Sequence, residues 1–350
     1  MRVAVYYSNQ DVRVEERPVP GIGAGELLVQ VMASGICGSD VMEWYRKKKA
    51  PLVLGHEIAG RVIQVGKDVT SVREGDRVFV SHHVPCNTCR YCLSGMHTVC
   101  ETLHTTNFDP GGFSEYLRVP RLNVDRGVFR LPDTMSYEEG TFIEPLACVV
   151  RAHRVAGFSP GKTVLVLGAG ISGLLHIALA RATGAGRIIA TDVNPFRLDA
   201  ARKFGADLAL YAEENILQRI REENEGRGAD LVFVCTGALP AFTQSLQCVE
   251  RGGTLVVFAP TAPGVTLPVP VNDFWRNGIT ITHAYGAGPA DIVTAMDLIG
   301  FKRVPVTEMI THRLDLADIA RGFSLVATAQ DSIKVVVYPN ECPDRGDRSC

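Results

Sequence analysis

The chain has 350 residues, 46% hydrophobic and 21% charged, with 36 Lys and Arg against 38 Asp and Glu. That length exceeds one comfortable core and points to two domains, while a net charge of −2 gives no electrostatic footprint for nucleic acid or an anionic membrane. Charge arrives early (Arg2, Asp11, Arg13), so no secretory leader is expected. The ten cysteines are then expected to be thiols or metal ligands of a cytoplasmic protein, not a disulfide framework.

Short β-branched runs predict strands at Arg2–Tyr7, Val12–Glu16, Leu27–Ala33, Ile58–Val65 and Asp76–Val80. Between them, Pro18 to Gly25 is a turn-rich loop and Arg46-Lys47-Lys48-Lys49 a solvated basic loop. An apolar stripe from Ser136 to Val155 predicts one long connecting helix. A strand at Val164–Leu167, a helix at Ser172–Thr183, a strand at Arg187–Thr191 and a helix at Pro195–Phe204 follow. Further strands at Leu231–Cys235, Thr254–Phe258 and Ile279–Thr282 complete the pattern of a parallel sheet with right-handed crossovers. The uncharged run from Thr163 to Ala180 is long enough for a membrane span, but Gly168-Ala169-Gly170 splits it into strand and helix halves. Val265–Val271, interrupted by Pro268 and Pro270, suits an edge strand. Helices at Pro289–Ile299 and Leu316–Ala327 and a strand at Ile333–Tyr338 close the fold, and residues 340–350 are expected to form a disordered tail.

Gly168-Ala169-Gly170-Ile171-Ser172-Gly173 follows an apolar strand and opens a helix, and Asp192 ends the next strand 19 residues after Gly173. This is the context in which GxGxxG binds a dinucleotide. Gly168 permits the tight turn, Gly170 lets the backbone approach a pyrophosphate, and Gly173 lets helix and strand pack closely. Ile171 and Ser172 open the helix whose amides meet the phosphates. Asp192 accepts from the adenosine ribose hydroxyls and repels a 2′-phosphate, which favours NAD(H); Arg197, one turn on, is the one cation opposing that choice. Thr236 ends another strand of this sheet, where ligands of the fold bind. Lys334 is expected either to reach a phosphate or to be solvated.

Cys86-x2-Cys89-x2-Cys92-x7-Cys100 spaces four soft ligands around one tetrahedral ion with no open position, the mark of a structural zinc. An iron–sulfur cluster is the rival, but nothing else in the chain points to electron transfer.

Cys37-Gly38-Ser39-Asp40 follows a strand, Gly55-His56-Glu57 comes 18 residues later, and Glu144-Pro145-Leu146-Ala147 precedes the cofactor segment. With the glycine motif and the cysteine lobe, these resemble the zinc-containing medium-chain dehydrogenases over nearly the whole chain. The Gly-His-Glu and Glu-Pro-Leu forms are similar to the sorbitol and threonine dehydrogenase branch. The resemblance implies an α/β fold: a GroES-like β-rich catalytic domain at 1–148 with its zinc lobe at 84–102, a Rossmann doubly wound domain at 149–287, and a return to the first domain at 288–339. It implies Cys37 and His56 as ligands of a second, catalytic zinc with Glu57 the third, and Glu144 binding directly or hydrogen-bonding the zinc's water. Asp40 would orient His56, Ser39 would receive the substrate proton, and Phe258 would lie at the nicotinamide. A homodimer or homotetramer is likewise implied.

One departure concerns the proton. The family often has a histidine where this chain has Met42, which cannot relay it, and His82 and His83 are candidates by sequence alone. The stretch between Cys37 and His56 also appears shorter than in typical sorbitol dehydrogenases, so sorbitol itself is not transferred as substrate. The expected activity is oxidation of a secondary alcohol (polyol, sugar, cyclitol or small diol) with NAD. The alternatives are an L-threonine-type amino-alcohol dehydrogenase, which needs a cation for the carboxylate, and a non-catalytic dinucleotide-binding relative.

Overall fold

The computed structural model describes residues 1–341; of the disordered tail expected at 340–350, Asn340 is instead held by its side chain, which donates to the Val31 and Glu115 carbonyls, and residues 342–350 lie outside the described residues. The chain divides into two units: Met1–Ala147 together with the chain from Ala287, and Cys148–Gly286. Among the described residues, no helix is long and apolar enough to cross a membrane.

The first unit is built on a seven-stranded sheet. Its central strand, Leu27–Ile36, is flanked by Glu57–Val65 and Lys334–Tyr338, both antiparallel to it. Side chains on a strand alternate between faces, and Leu27, Val29 and Val31 join Ile58, Val62, Val78 and Val80 in one buried cluster. The register that sets this face pairs Gly35 with Glu57 at one end of the strands. A separate three-stranded sheet joins Asp11–Glu16, Arg2–Ser8 and Leu52–Val53.

The second unit carries six parallel strands. Taking Thr163–Leu167 as the first, their spatial order is 3-2-1-4-5-6, the dinucleotide-binding arrangement with its reversal of direction beside the first strand. Thr163 to Leu167 is buried throughout, which accounts for its unbroken apolar run.

Several expectations change. The helix predicted over Ser136–Val155 is two, Tyr137–Gly140 and Ile143–Val155. Ser136 and Glu139 form a capping box that starts the first. Pro145 lacks the N–H that a continuous helix would use, so it is confined to the first turn of the second. Val265–Val271 is not an edge strand: 265–270 form no ladder, Val271 opens the helix Val271–Asn277, and the sheet ends on Thr280–His283. Two prolines remove the donors a strand there needs. The strands Leu208–Tyr211 and Ile310–Asp315 and the helices Ile216–Glu223 and Leu239–Cys248 were not foreseen; the first strand is only four residues, the second carries Thr, His, Arg and Asp, and both helices start among polar or turn-forming residues.

Within the second unit, His153 and His176 are buried with ring centroids 5.1 Å apart, both packed on Phe233. His153 Nε2 and His176 Nδ1 share one hydrogen bond at 3.1 Å. Burial drives His153 down to about 3 and His176 well below its usual value, so both are neutral when folded. The His153 contribution is complete above the unfolded value of about 6.5 and is lost as pH falls from there toward 3, and that of His176 is lost in the same direction. For His153 alone this is roughly 2 kcal/mol by pH 5. Urea unfolding at pH 7.5 and pH 5 should show that loss in the wild type and a much smaller one in His153→Phe/His176→Leu. An identical loss in both would refute the assignment.

Candidate active site

The central strand ends at Ile36, and Cys37 caps a single 3-10 turn, Gly38–Val41. Cys37 Sγ accepts from the Ser39 amide at 3.4 Å, and the Cys37 amide donates to Asp40 Oδ2 at 3.1 Å. Antiparallel pairing of Gly35 with Glu57 makes residues just after one strand meet those just before the next. Cys37, His56 and Glu57 therefore converge, with one ligand atom from each lying within 4.8 Å of the others. His56 Nδ1 is 3.4 Å from Asp40 Oδ1, which leaves Nε2 for a cation. Burial disfavours charge on His56, but Asp40 and Cys37 outweigh it and hold its pKa well above the usual value. Burial would likewise raise Asp40, yet His56, Arg46 and the Cys37 amide keep it below the usual range. The negative charges that draw a proton here also draw a divalent ion. Glu144 stands half-buried in the first turn of Ile143–Val155 and is not one of this three-residue cluster.

Two neighbours of the cluster were missed. Lys334 neither reaches for a phosphate nor meets solvent: it is fully buried, and its Nζ donates to Glu57 Oε2. It starts the strand Lys334–Tyr338 and reaches Glu57 across the central strand. Gly35 is the notch that lets it pass, because a Cβ there would overlap the Glu57 carboxylate and stand 2.7 Å from Lys334 Cε. A glycine inside an apolar strand and a lysine opening Val335-Val336-Val337 were the available signals. Arg46 is the second. It leaves the solvated basic loop and folds back, Nε donating to the Ser39 carbonyl at 2.9 Å and Nη2 to Ser39 Oγ at 3.1 Å.

His82 and His83 lie in line behind the cluster. The His82 ring is 4.9 Å from that of His56 and 3.9 Å from that of His83. Burial first, then neighbouring cations, push His82 well below its usual value and His83 down to about 4.

The four cysteines of the lobe also have ligand atoms within 4.8 Å of one another. Cys86 and Cys92 sulfurs are 3.9 Å apart and Cys89 and Cys92 3.6 Å, close to the ~3.8 Å edge of a tetrahedron with zinc–sulfur bonds of about 2.3 Å. Amides of Thr88 and Cys89 bring the Cys86 thiol down to about 5, while burial and the adjacent thiols push Cys92 up to about 12. A thiolate at Cys92 needs a cation. The lobe's own apolar core is only Cys92, Cys100 and Leu103 with Cys86 and Cys89 against it, too little to fold on.

At the cofactor turn, Gly168 has φ +93°, and Gly170 caps the helix Ile171–Ala182 with Ser172 in its first turn. A Cβ at Gly173 would collide with the Gly168 carbonyl. Asp192 already accepts the amides of Ala169 at 2.7 Å and Asn194 at 2.9 Å, one on each oxygen, so only its remaining lone pairs are left for a further donor. Arg197 Nη1 is 4.0 Å from Asp192, and its guanidinium lies 3.8 Å from where a Gly170 Cβ would be. Thr236 stands beside Gly168 at the switch point, and Phe258 packs edge-on to His176.

Residues 23–133 match the alcohol dehydrogenase GroES-like domain and residues 172–300 match zinc-binding dehydrogenase. The sorbitol dehydrogenase of Bacillus subtilis (strain 168) is 32% identical, over 97% of this chain and 98% of that protein. The chain belongs to the zinc-containing medium-chain dehydrogenases. An L-threonine 3-dehydrogenase of Bacillus licheniformis is 34% identical over 92% of this chain and 94% of its own, which places the chain in the polyol and threonine dehydrogenase-like branch. Among solved structures, an alcohol dehydrogenase from Thermus sp. ATN1 superposes with a TM-score of 0.85 at 30% identity, covering 97% of this chain and 99% of that one. This medium-chain dehydrogenase is thus an oxidoreductase of alcohols that uses zinc and a nicotinamide dinucleotide, on a GroES-like domain and a Rossmann domain.

Proposed function

We propose that the enzyme oxidises a secondary hydroxyl of a polyol, sugar, cyclitol or small diol, reversibly, with NAD in preference to NADP and two zinc ions per chain. The observation that carries this is the convergence of Cys37, His56 and Glu57 beside Ser39 and Asp40. These three hold the catalytic ion, Glu144 assists it from its helix, and Cys86, Cys89, Cys92 and Cys100 hold the structural one. Bound together, zinc and NAD supply an acid that eases loss of the alcohol proton and an acceptor for the hydride.

The chain's own side chains do the rest. Asp40 fixes the His56 ring, and the Ser39 hydroxyl, whose oxygen accepts from Arg46, relays the substrate proton, passing its own proton on toward solvent as it takes the substrate's. Gly168, Gly170, Ile171, Ser172 and Gly173 receive the pyrophosphate. Asp192 and Arg197 flank the adenosine ribose, and Thr236 and Phe258 flank the nicotinamide end. Domain limits of 1–148, 149–287 and 288–339, a homodimer or homotetramer, a cytoplasmic location and no nucleic-acid or membrane partner complete the proposal.

The test is a panel of polyols, cyclitols, sugars, diols and L-threonine with zinc-replete protein. At least one secondary alcohol should be oxidised, with NAD favoured over NADP by tenfold or more in kcat/KM, a discrimination of about 1.4 kcal/mol or more. Uniform inactivity would refute it.

A further inference from the structure

Lys334 stands where the segments carrying the candidate ligands meet. Its Nζ donates to Glu57 Oε2 and lies 3.5 Å from the carbonyl of Ile36, the residue before Cys37. The same Nζ is 5.6 Å from the ring centre of Phe142, two residues before Glu144. The surroundings are otherwise apolar: Val335, Val336 and Val337 on its own strand are fully buried, as are Ile36 and Phe142. Packing of this kind calls for no charge, and a methionine would fill most of the same volume. A buried ammonium is costly unless an anion meets it.

That anion is Glu57, which is also one of the three residues whose ligand atoms lie within 4.8 Å of one another. Gly35 keeps the pair together, since a Cβ there would intrude on both side chains. Lys334 and a divalent ion therefore draw on the same carboxylate. A carboxylate has two oxygens and can serve both, but an ammonium on one of them lowers the negative charge the group offers a second cation. The common outer partner of a metal ligand is an acceptor, which raises the ligand's basicity, as Asp40 does for His56. Lys334 is a charged donor and acts in the opposite sense. The cysteine lobe is surrounded differently, its sulfurs accepting from the neutral backbone amides of Cys86, Thr88 and Cys89.

We propose that Lys334 is a positioning residue that sets the affinity of the catalytic metal site. Its ammonium competes with the ion for Glu57, holding that carboxylate in place in the metal-free enzyme and withholding part of its charge in the loaded one. The inference rests on the assignment of Cys37, His56 and Glu57 as ligands made above and adds the group that limits how tightly they bind.

Zinc affinity, a readout independent of turnover, tests it. Zinc-loaded wild type, Lys334→Met and Lys334→Gln are titrated with EDTA, and the ion retained by Cys37→Ala identifies the structural site. The catalytic ion should be held about 10- to 100-fold more tightly in both variants than in the wild type, the range over which outer partners move metal affinity. Lys334→Gln keeps a neutral donor for Glu57, so it carries the test if Lys334→Met does not fold. In Glu57→Gln/Lys334→Met the gain should be absent, because the carboxylate that Lys334 restrains is gone. A packing role alone would leave affinity unchanged or, by loosening Glu57, weaken it. Unchanged or weaker binding in either folded single variant, or a gain that survives Glu57→Gln, would overturn the inference and leave the dehydrogenase function standing. A wild type that binds one ion per chain would overturn both the inference and the ligand assignment beneath it.

Discussion

Lys334→Met is expected to destabilise the zinc-free protein by about 3–5 kcal/mol, and the zinc-loaded protein by distinctly less. Lys334 and Glu57 are 0% and 1% exposed, so neither charge has water to fall back on. Methionine keeps most of the lysine's volume, which confines the change to the lost charge and its hydrogen bond. In the zinc-free form the variant leaves Glu57 buried and uncompensated. In the loaded form the ion beside Cys37 and His56 supplies the positive charge that Lys334 provided. Adding Glu57→Gln to Lys334→Met removes the stranded carboxylate, and the double variant should be more stable without zinc than Lys334→Met alone. Urea unfolding with and without a chelator measures all of these. Equal losses with and without zinc would show that Lys334 acts by packing alone.

Cys37→Ala is expected to lower NAD-linked turnover by on the order of a thousandfold or more while leaving the fold in place. Loss of the metal's contribution to the reacting alcohol amounts to several kcal/mol, and each 1.4 kcal/mol is about tenfold in rate. The fold survives because Cys37 lies past the end of its strand, outside the buried clusters of the first unit. Circular dichroism and unfolding midpoints near those of the wild type, together with the lost turnover, are the expected pair of results. Turnover within tenfold of the wild type would remove Cys37 from the metal site.

What the sequence made legible divides by the range of the signal. The cofactor turn and the cysteine lobe are local patterns, in which residues a few positions apart share one proposed job, so spacing and immediate context were enough to suggest them. Cys37, His56 and Glu57 are ordinary one by one and were tied together by family resemblance; in the structure their convergence follows from the Gly35–Glu57 register. Lys334 lies 277 residues from Glu57, and no local pattern announces that pairing. Arg46 was hidden differently, inside a run of four cations whose average behaviour is solvation, and only the one-turn helix Glu43–Arg46 separates it from its neighbours. The break at Gly140–Ile143 was overlooked because an apolar stripe can continue across two short helices, although Pro145 marked the restart.

The number of metal ions bound tests the catalytic centre most directly. Zinc in the purified wild type and in Cys37→Ala should be determined side by side, after dialysis against metal-free buffer. The two clusters among the described residues, one of Cys37, His56 and Glu57 and one of four cysteines, predict two ions per chain in the wild type and one in the variant. One ion in the wild type, or two retained in Cys37→Ala, would contradict the assignment of the catalytic centre.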